Sequence, residues 1–209
     1  MSSVDRSTGF RDLLADVTSP VRLTFFEQTF ACDSCEPVRR MLQELTETQS
    51  SISMERLNLV LERERAAELE IDRVPAIVIS SPHCSRIRFL GPPLGYELRS
   101  FVEALRITAS GDSGLSDESR MRLASLRSVV RLQVFFTPSC VYCPQMVQLA
   151  NRMAVAHPLI SATAIDATEF PDLVRRYNVN GVPKTVINDT VELLGGATES
   201  ELIEAIVGR

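Results

Sequence analysis

Phe135-Phe136-Thr137-Pro138-Ser139-Cys140-Val141-Tyr142-Cys143-Pro144 runs from an apolar stretch directly into a Cys-x-x-Cys pair. A second pair, Cys32-Asp33-Ser34-Cys35, lies 108 residues upstream. The same interval separates Pro75 from Pro183, so each first cysteine is followed 43 residues later by a proline in matching context. The two contexts are Ile71-Asp72-Arg73-Val74-Pro75 and Val179-Asn180-Gly181-Val182-Pro183. Upstream, Val21-Arg22-Leu23-Thr24-Phe25-Phe26 matches Val130-Arg131-Leu132-Gln133-Val134-Phe135-Phe136; downstream, Arg88-Phe89-Leu90-Gly91 matches Glu192-Leu193-Leu194-Gly195. The first copy is longer by about four residues, where Ser80-Ser81-Pro82-His83-Cys84-Ser85 sits. Self-similarity at a fixed interval marks an internal repeat. It places two units at residues 1–109 and 110–209, and 209 residues suit two domains of about 100 each. The Gly/Ser/Asp cluster Ala109-Ser110-Gly111-Asp112-Ser113-Gly114-Leu115 reads as the linker.

Periodicity supplies the elements. In the second unit Ser116 is a helix N-cap with Asp117 and Glu118 in the first turn, opening a helix to about Arg127. Val129 to Phe136 is a buried strand, and Cys143, Met146, Val147, Ala150 and Met153 recur at helical spacing until His157-Pro158. Ile160, Ala162 and Ala164 alternate as a strand, and Glu169 to Tyr177 returns to helix. Lys184–Asn188 and Val191–Leu194 form a hairpin, and Thr198 caps the last helix. The order α-β-α-β-α-β-β-α repeats in the first unit, from a helix near Phe10 to Val17 and a strand at Val21 to Phe26.

Composition narrows the function. A 44% hydrophobic, 23% charged chain is ordinary globular material, and no stretch approaches the roughly 18 apolar residues of a membrane span. A net charge of −5, 6% aromatics and no Trp are a poor footprint for nucleic acid. Met1-Ser2-Ser3-Val4-Asp5-Arg6-Ser7 lacks the apolar core of a secretory signal, so a cytoplasmic protein is expected. Lys184 is the only lysine against 21 arginines, which are scattered along the chain.

Four of the five cysteines fall in the two pairs, which in a cytosolic chain means a redox dithiol or a zinc site. Each pair has its own proline loop, which favours two dithiols over one four-cysteine metal centre, and no metal is expected. Only a thiolate attacks a disulfide. At a helix N-terminus the free backbone N–H groups and the positive end of the dipole favour the anion. Moving a thiol pKa from about 8.5 to about 7 is worth roughly 2 kcal/mol. Cys140 and Cys32 are thus the expected nucleophiles, with Cys143 and Cys35 one turn further in as resolving thiols. Asp33, Glu36 and Glu27 surround Cys32 in sequence while Cys140 has no neighbouring acid, so like charge predicts the second site to be dominant. Cys84 has no counterpart in the second unit and reads as an incidental thiol.

A strand leading into Cys-x-x-Cys, then Val-Pro before a hairpin, resembles the thioredoxin fold. The tandem resembles the two-unit, glutaredoxin-like protein disulfide oxidoreductases and the unit that heads bacterial peroxiredoxin-reductase flavoproteins. Besides Phe135–Pro144 it is carried by Gly181–Asn188, Gly114–Glu118 and Gly91–Glu97. The resemblance implies an α/β protein of two tandem thioredoxin folds, each a mixed sheet flanked by helices. It implies thiol–disulfide exchange on protein substrates, with cis bonds at Val74-Pro75 and Val182-Pro183 and substrate pairing along the Val74 and Val182 backbone. It implies no bound cofactor: the disulfides themselves are redox-active, and electrons come from an NADPH-dependent, thioredoxin-reductase-like flavoprotein or from glutathione. Alternatives of the same ancestry are a dedicated shuttle to a peroxiredoxin, or a non-catalytic adaptor whose cysteines hold zinc or structural disulfides. Gly195-Gly196 resembles the glutaredoxin Gly-Gly at the glutathione carboxylate, or is a simple turn.

Overall fold

β-branched and aromatic runs bounded by turn residues become strands here, and the amphipathic runs between them become helices that cover both faces. A computed structural model describes residues 9–84 and 86–208; the Met1-to-Ser7 stretch and Ser85 lie outside the described residues. The first unit runs α1 (residues 9–13), β1 (Val21–Glu27), α2 (Cys35–Thr48), β2 (Ile52–Asn58), α3 (Arg63–Glu68), β3 (Ala76–Ser80), β4 (Ile87–Leu90), a 3-10 turn (Gly95–Glu97) and α4 (Leu98–Ser110). The second runs α5 (Asp117–Leu123), β5 (Val130–Phe136), α6 (Cys143–Ala156), β6 (Ile160–Asp166), α7 (Pro171–Arg176), β7 (Lys184–Ile187), β8 (Val191–Leu194) and α8 (Glu199–Val207). The repeated order is as expected, with shorter helices. α5 stops at Leu123 rather than near Arg127, and α7 starts at Pro171, whose missing N–H suits a first helical position. α4 continues through Ser110 to a left-handed Gly111 cap (φ 71°), so the linker starts later than its composition suggested.

The caps follow the sequence. Ser116 accepts from the Ser119 N–H, and Thr198 forms a reciprocal box with Glu201.

The sequence does not indicate how the units join. Among the described residues the eight strands form one sheet in the order β2-β1-β3-β4-β6-β5-β7-β8. The seam is a parallel pairing of β4 with β6, from Ile87 opposite Ala162 to Leu90 opposite Ile165. β4 is buried along its whole length, and as an isolated edge its Ile-Arg-Phe-Leu run would invite aggregation. Its counterpart β8 alternates partly buried and exposed residues, carries Glu192, and remains a true edge. One continuous core spans both units on the face covered by α2, α4 and α6; Phe89 meets Phe101 edge-to-face at 5.3 Å within it. A second cluster, including Phe26, Phe135, Leu173 and Tyr177, lies under α3 and α7 on the other face.

The single lysine is structural. Lys184 is 4% exposed; its Nζ donates to the Tyr177 carbonyl at 2.6 Å and the Asn178 carbonyl at 3.2 Å, and pairs with Glu192 at 2.8 Å. It thereby holds the end of α7, where a cation complements free carbonyls. The first unit ends α3 with a different cation: Arg88 of β4 donates to the Leu69 carbonyl and pairs with Glu70, both at 2.8 Å. Lys184→Met is expected to cost about 2 kcal/mol by leaving those carbonyls without a donor; chemical denaturation would measure it.

Candidate active site

Each strand that enters a motif delivers its cysteines to the same place, the turn before a long helix. Cys32 is disulfide-bonded to Cys35 and Cys140 to Cys143, with Cα atoms 5.4 and 5.5 Å apart. Cys35 and Cys143 are the first residues of α2 and α6 and are buried, whereas Cys32 and Cys140 precede the helices and are partly exposed. The outer sulfur faces solvent and the inner one the core. Both Val74-Pro75 and Val182-Pro183 bonds are cis. In the second unit Cys140 Sγ lies 3.9 Å from the Val182 carbonyl oxygen, bringing the dithiol and its proline loop together. The glycine that closes each hairpin donates its N–H to the proline carbonyl: Gly91 to Pro75 at 2.9 Å, Gly195 to Pro183 at 2.8 Å.

The charge contrast expected from sequence neighbours changes in three dimensions. Glu27 pairs with Arg39 at 3.2 Å and with Arg56 at 2.5 Å. Glu36 pairs with Arg40 at 2.7 Å and also with Arg39. Two of the three acids around Cys32 are thus compensated. The second site, acid-free in sequence, acquires acids from elsewhere in the fold. Glu97 is fully buried in the 3-10 turn that packs against the start of α6. Burial pushes its carboxyl up to about 7 from the usual 4.5, Ser100 lowers it in part, and the charge of Asp166 adds to the rise. The Ser100 hydroxyl, close enough to Glu97 to ease its charge, donates to the Pro144 carbonyl at 3.3 Å, and among the described residues neither Glu97 oxygen has a partner in good hydrogen-bond geometry. Asp166, at the end of β6, is also raised by burial, opposed by hydrogen bonds from Thr168. Glu97 closes the Gly91–Glu97 stretch that carries the resemblance, but its burial follows only from the packing of one unit on the other.

A finer difference separates the dithiols. The Cys143 N–H points at Cys140 Sγ, 3.1 Å away, whereas the Cys35 N–H donates to the Cys32 carbonyl at 3.2 Å. An amide aimed at the sulfur stabilises a thiolate there. The rims differ too. Val141, Tyr142 and Leu194 are 53, 73 and 75% exposed around the second site. The first site opens instead on a polar cleft lined by Glu27, Glu36, Arg39, Arg56 and Glu62.

The first unit also braces the second site. The Tyr96 N–H donates to the Pro138 carbonyl at 3.1 Å, in the loop just before Cys140. Gly95 has φ 62°, and a Cβ there would lie 2.3 Å from that same carbonyl oxygen. Gly95→Ala therefore combines a left-handed strain with a backbone clash. It is expected to cost about 2 kcal/mol or more and to disturb the Cys140 loop, read as a lower unfolding midpoint and altered Cys140 alkylation.

Other singled-out residues lie apart from this chemistry. Cys84 is a buried free thiol whose Sγ is 3.8 Å from the Ala154 carbonyl, and burial raises its pKa. His157 ends α6, its Nδ1 accepting from the Leu159 N–H at 3.2 Å. Among the described residues no helix is long and apolar enough to cross a membrane.

The thioredoxin domain family matches residues 130–208. Over 97% of this chain and 90% of the other, the fold superposes on a protein disulfide oxidoreductase of Aeropyrum pernix with TM-score 0.89 and 28% identity. The alkylhydroperoxide reductase AhpF of Enterococcus faecalis shares the fold with TM-score 0.87 at 24% identity, over 96% of this chain and 97% of that one. The corresponding alkyl hydroperoxide reductase protein of Escherichia coli is 28% identical over 99% of this chain and 37% of its own length. The chain spans about a third of the length of the curated relatives it matches. The chain is a tandem thioredoxin-fold protein with a Cys-x-x-Cys disulfide in each unit, sharing its whole-chain architecture with a protein disulfide oxidoreductase.

Proposed function

We propose that this chain is a thiol–disulfide oxidoreductase acting on protein disulfides, mainly through Cys140 and Cys143 and to a lesser extent through Cys32 and Cys35. The observation that carries the reading is the disulfide at each helix start, outer sulfur open and inner sulfur buried, beside a Val-Pro loop. In the reduced protein the Cys140 thiolate attacks one sulfur of a substrate disulfide. A mixed disulfide forms and one substrate thiolate leaves. Cys143 then loses its proton and attacks Cys140 Sγ, which closes the Cys140–Cys143 bond and releases the second substrate thiol. Substrate disulfide is reduced to two thiols and the protein dithiol is oxidised, two electrons in all.

The Cys143 N–H supports negative charge on Cys140 Sγ. Glu97, buried against the start of α6 and poised near neutrality, is the group we assign to take the Cys143 proton. The exposed Val141, Tyr142 and Leu194 supply an apolar rim, and the backbone of Val182 beside Pro183 offers an edge for an extended substrate segment. Val74 and Pro75 would serve the first site in the same way. These features, rather than the acids near Cys32, support the ranking of the sites.

Re-reduction needs two electrons per disulfide, from an NADPH-dependent flavoprotein or from two molecules of glutathione, which leave as glutathione disulfide. The likeness to the alkyl hydroperoxide reductase of Escherichia coli favours the flavoprotein and a peroxiredoxin-type acceptor. Because nearly the whole chain matches a third of that relative, a shuttle dedicated to such an acceptor is the second reading. Dithiothreitol-driven reduction of insulin tests the general activity: turnover is expected, and its absence contradicts a broad protein-substrate range.

A further inference from the structure

The repeat relates the two dithiols, but the residues around them are not equivalent. Ser34, between the cysteines of the first motif, precedes α2 without capping it. Its hydroxyl donates instead to Glu169 of the second unit, 2.6 Å from each carboxylate oxygen. Glu169 stands in the loop between β6 and α7. Three residues on, Asp172 takes the Arg73 guanidinium at 2.9 Å, and the Phe170 ring lies 5.4 Å from it. Arg73 directly precedes the Val74-Pro75 bond. One short segment of the second unit, residues 169–172, thus holds both lips of the first site: the Cys-x-x-Cys turn and the proline loop.

Among the described residues the converse contact is missing. By the 108-residue interval, Ser34 and Arg73 correspond to Tyr142 and Gly181, and Glu169 corresponds to Leu61. Tyr142 is 73% and Leu61 79% exposed. Leu61 follows β2 at the outer edge of the sheet, whereas Glu169 follows β6 at the seam, so the tandem order lets the second unit reach the first dithiol but not the reverse.

A carboxylate in this place opposes a thiolate. It sits at the N-terminal end of α2, where free N–H groups would otherwise favour an anion on Cys32, and like charges nearby repel. The other charges facing the dithiol largely cancel. Glu27 of β1 pairs with Arg39 of α2 and Arg56 of β2, and Glu36 pairs with Arg39 and Arg40. Glu62, ahead of α3, accepts from the Asn58 N–H at 2.8 Å, and Asp33 is exposed to water. Among the described residues Glu169 has no ion pair; its partner is the neutral Ser34 hydroxyl.

We propose that Glu169 is a positioning residue for the first dithiol: from the second unit it holds the Cys32–Cys35 turn through Ser34 and opposes the Cys32 thiolate. The second unit thereby sets the reactivity of the first. The proposal deepens the oxidoreductase reading above and rests on it for its meaning, but its test requires no turnover.

The test follows iodoacetamide alkylation of Cys32 against pH in the reduced two-unit chain carrying Cys140→Ser and Cys143→Ser, with the modified residue identified by mass. Glu169→Gln keeps an acceptor for Ser34 and removes only the charge. It is expected to lower the Cys32 pKa by about half a unit to one unit and to raise alkylation at pH 7 about threefold. Ser34→Ala, which frees the carboxylate, moves the pKa the same way. A Cys32 pKa that stays put or rises in Glu169→Gln overturns the proposal, and one unmoved in Ser34→Ala overturns the holding role of Ser34. A chain inactive on insulin can still show the shift and an active one can lack it, so this proposal and the oxidoreductase reading fail separately.

Discussion

Cys140→Ser is expected to cut insulin reduction to the level the first unit sustains, roughly a tenth or less of wild type, while Cys32→Ser keeps more than about half. Three features of the fold set that direction. The Cys143 amide points at Cys140 Sγ, whereas its counterpart in the first unit is turned to a carbonyl. The Cys140 rim is apolar and open, while Ser34 and Arg73 at the first site are tied to the other unit. Steady-state turnover of the two single variants beside wild type measures the ranking. Equal losses would mean that the units work in series, and a larger loss in Cys32→Ser would reverse the assignment.

Glu97→Gln is expected to change stability with a sign that depends on pH. The Glu97 carboxyl titrates near 4.5 in the unfolded chain and at about 7 in the folded one. Between those values the native state holds a proton that the unfolded state has lost, so stability falls as pH rises through this window. Above about pH 7 the full penalty of a buried unpaired carboxylate is present, on the order of 3 kcal/mol. The amide carries no such charge but brings its own unsatisfied groups, a cost that does not vary with pH. The comparison is therefore the change between conditions: Glu97→Gln should gain roughly 2 kcal/mol on wild type between about pH 5.5 and pH 8. Denaturant titrations of both chains at the two pH values check this, and parallel pH dependences would contradict it. The same variant should slow closure of the Cys140–Cys143 disulfide about tenfold or more at pH 7 if Glu97 takes the Cys143 proton.

Much of the fold can be read from spacing. Two Cys-x-x-Cys pairs and two Val-Pro pairs at one interval define the repeat, and 3.6- and 2-residue periodicities define the elements between them. Ser116 and Thr198 announce their helices by capping chemistry that acts within three residues. The four disulfide-bonded cysteines and both Val-Pro loops are legible for the same reason, because each is a local motif.

What is not legible depends on contacts across long sequence separations. The β4–β6 pairing joins strands of different units, and only the complete burial of Ile87–Leu90 explains why β4 cannot remain an edge. Sequence neighbours misjudge the charge around Cys32 because Arg56 arrives from the adjacent strand and neutralises Glu27. The Gly91–Glu97 stretch is legible, but the placement of Glu97 and Glu169 is not, because each belongs in sequence to one unit and lies in space against the other's dithiol turn or helix. Side chains that reach across a duplicated interface leave no mark in the periodicity of either copy.

Trapping the exchange itself tests the role of Cys140 most directly. In the reduced chain carrying Cys35→Ser and Cys143→Ser, neither resolving thiol remains and a mixed disulfide with a protein substrate persists. Peptide mass analysis then shows which outer cysteine carries it. The adduct is expected predominantly on Cys140, with a minor share on Cys32. Adducts mainly on Cys32, or on neither cysteine, would contradict that role.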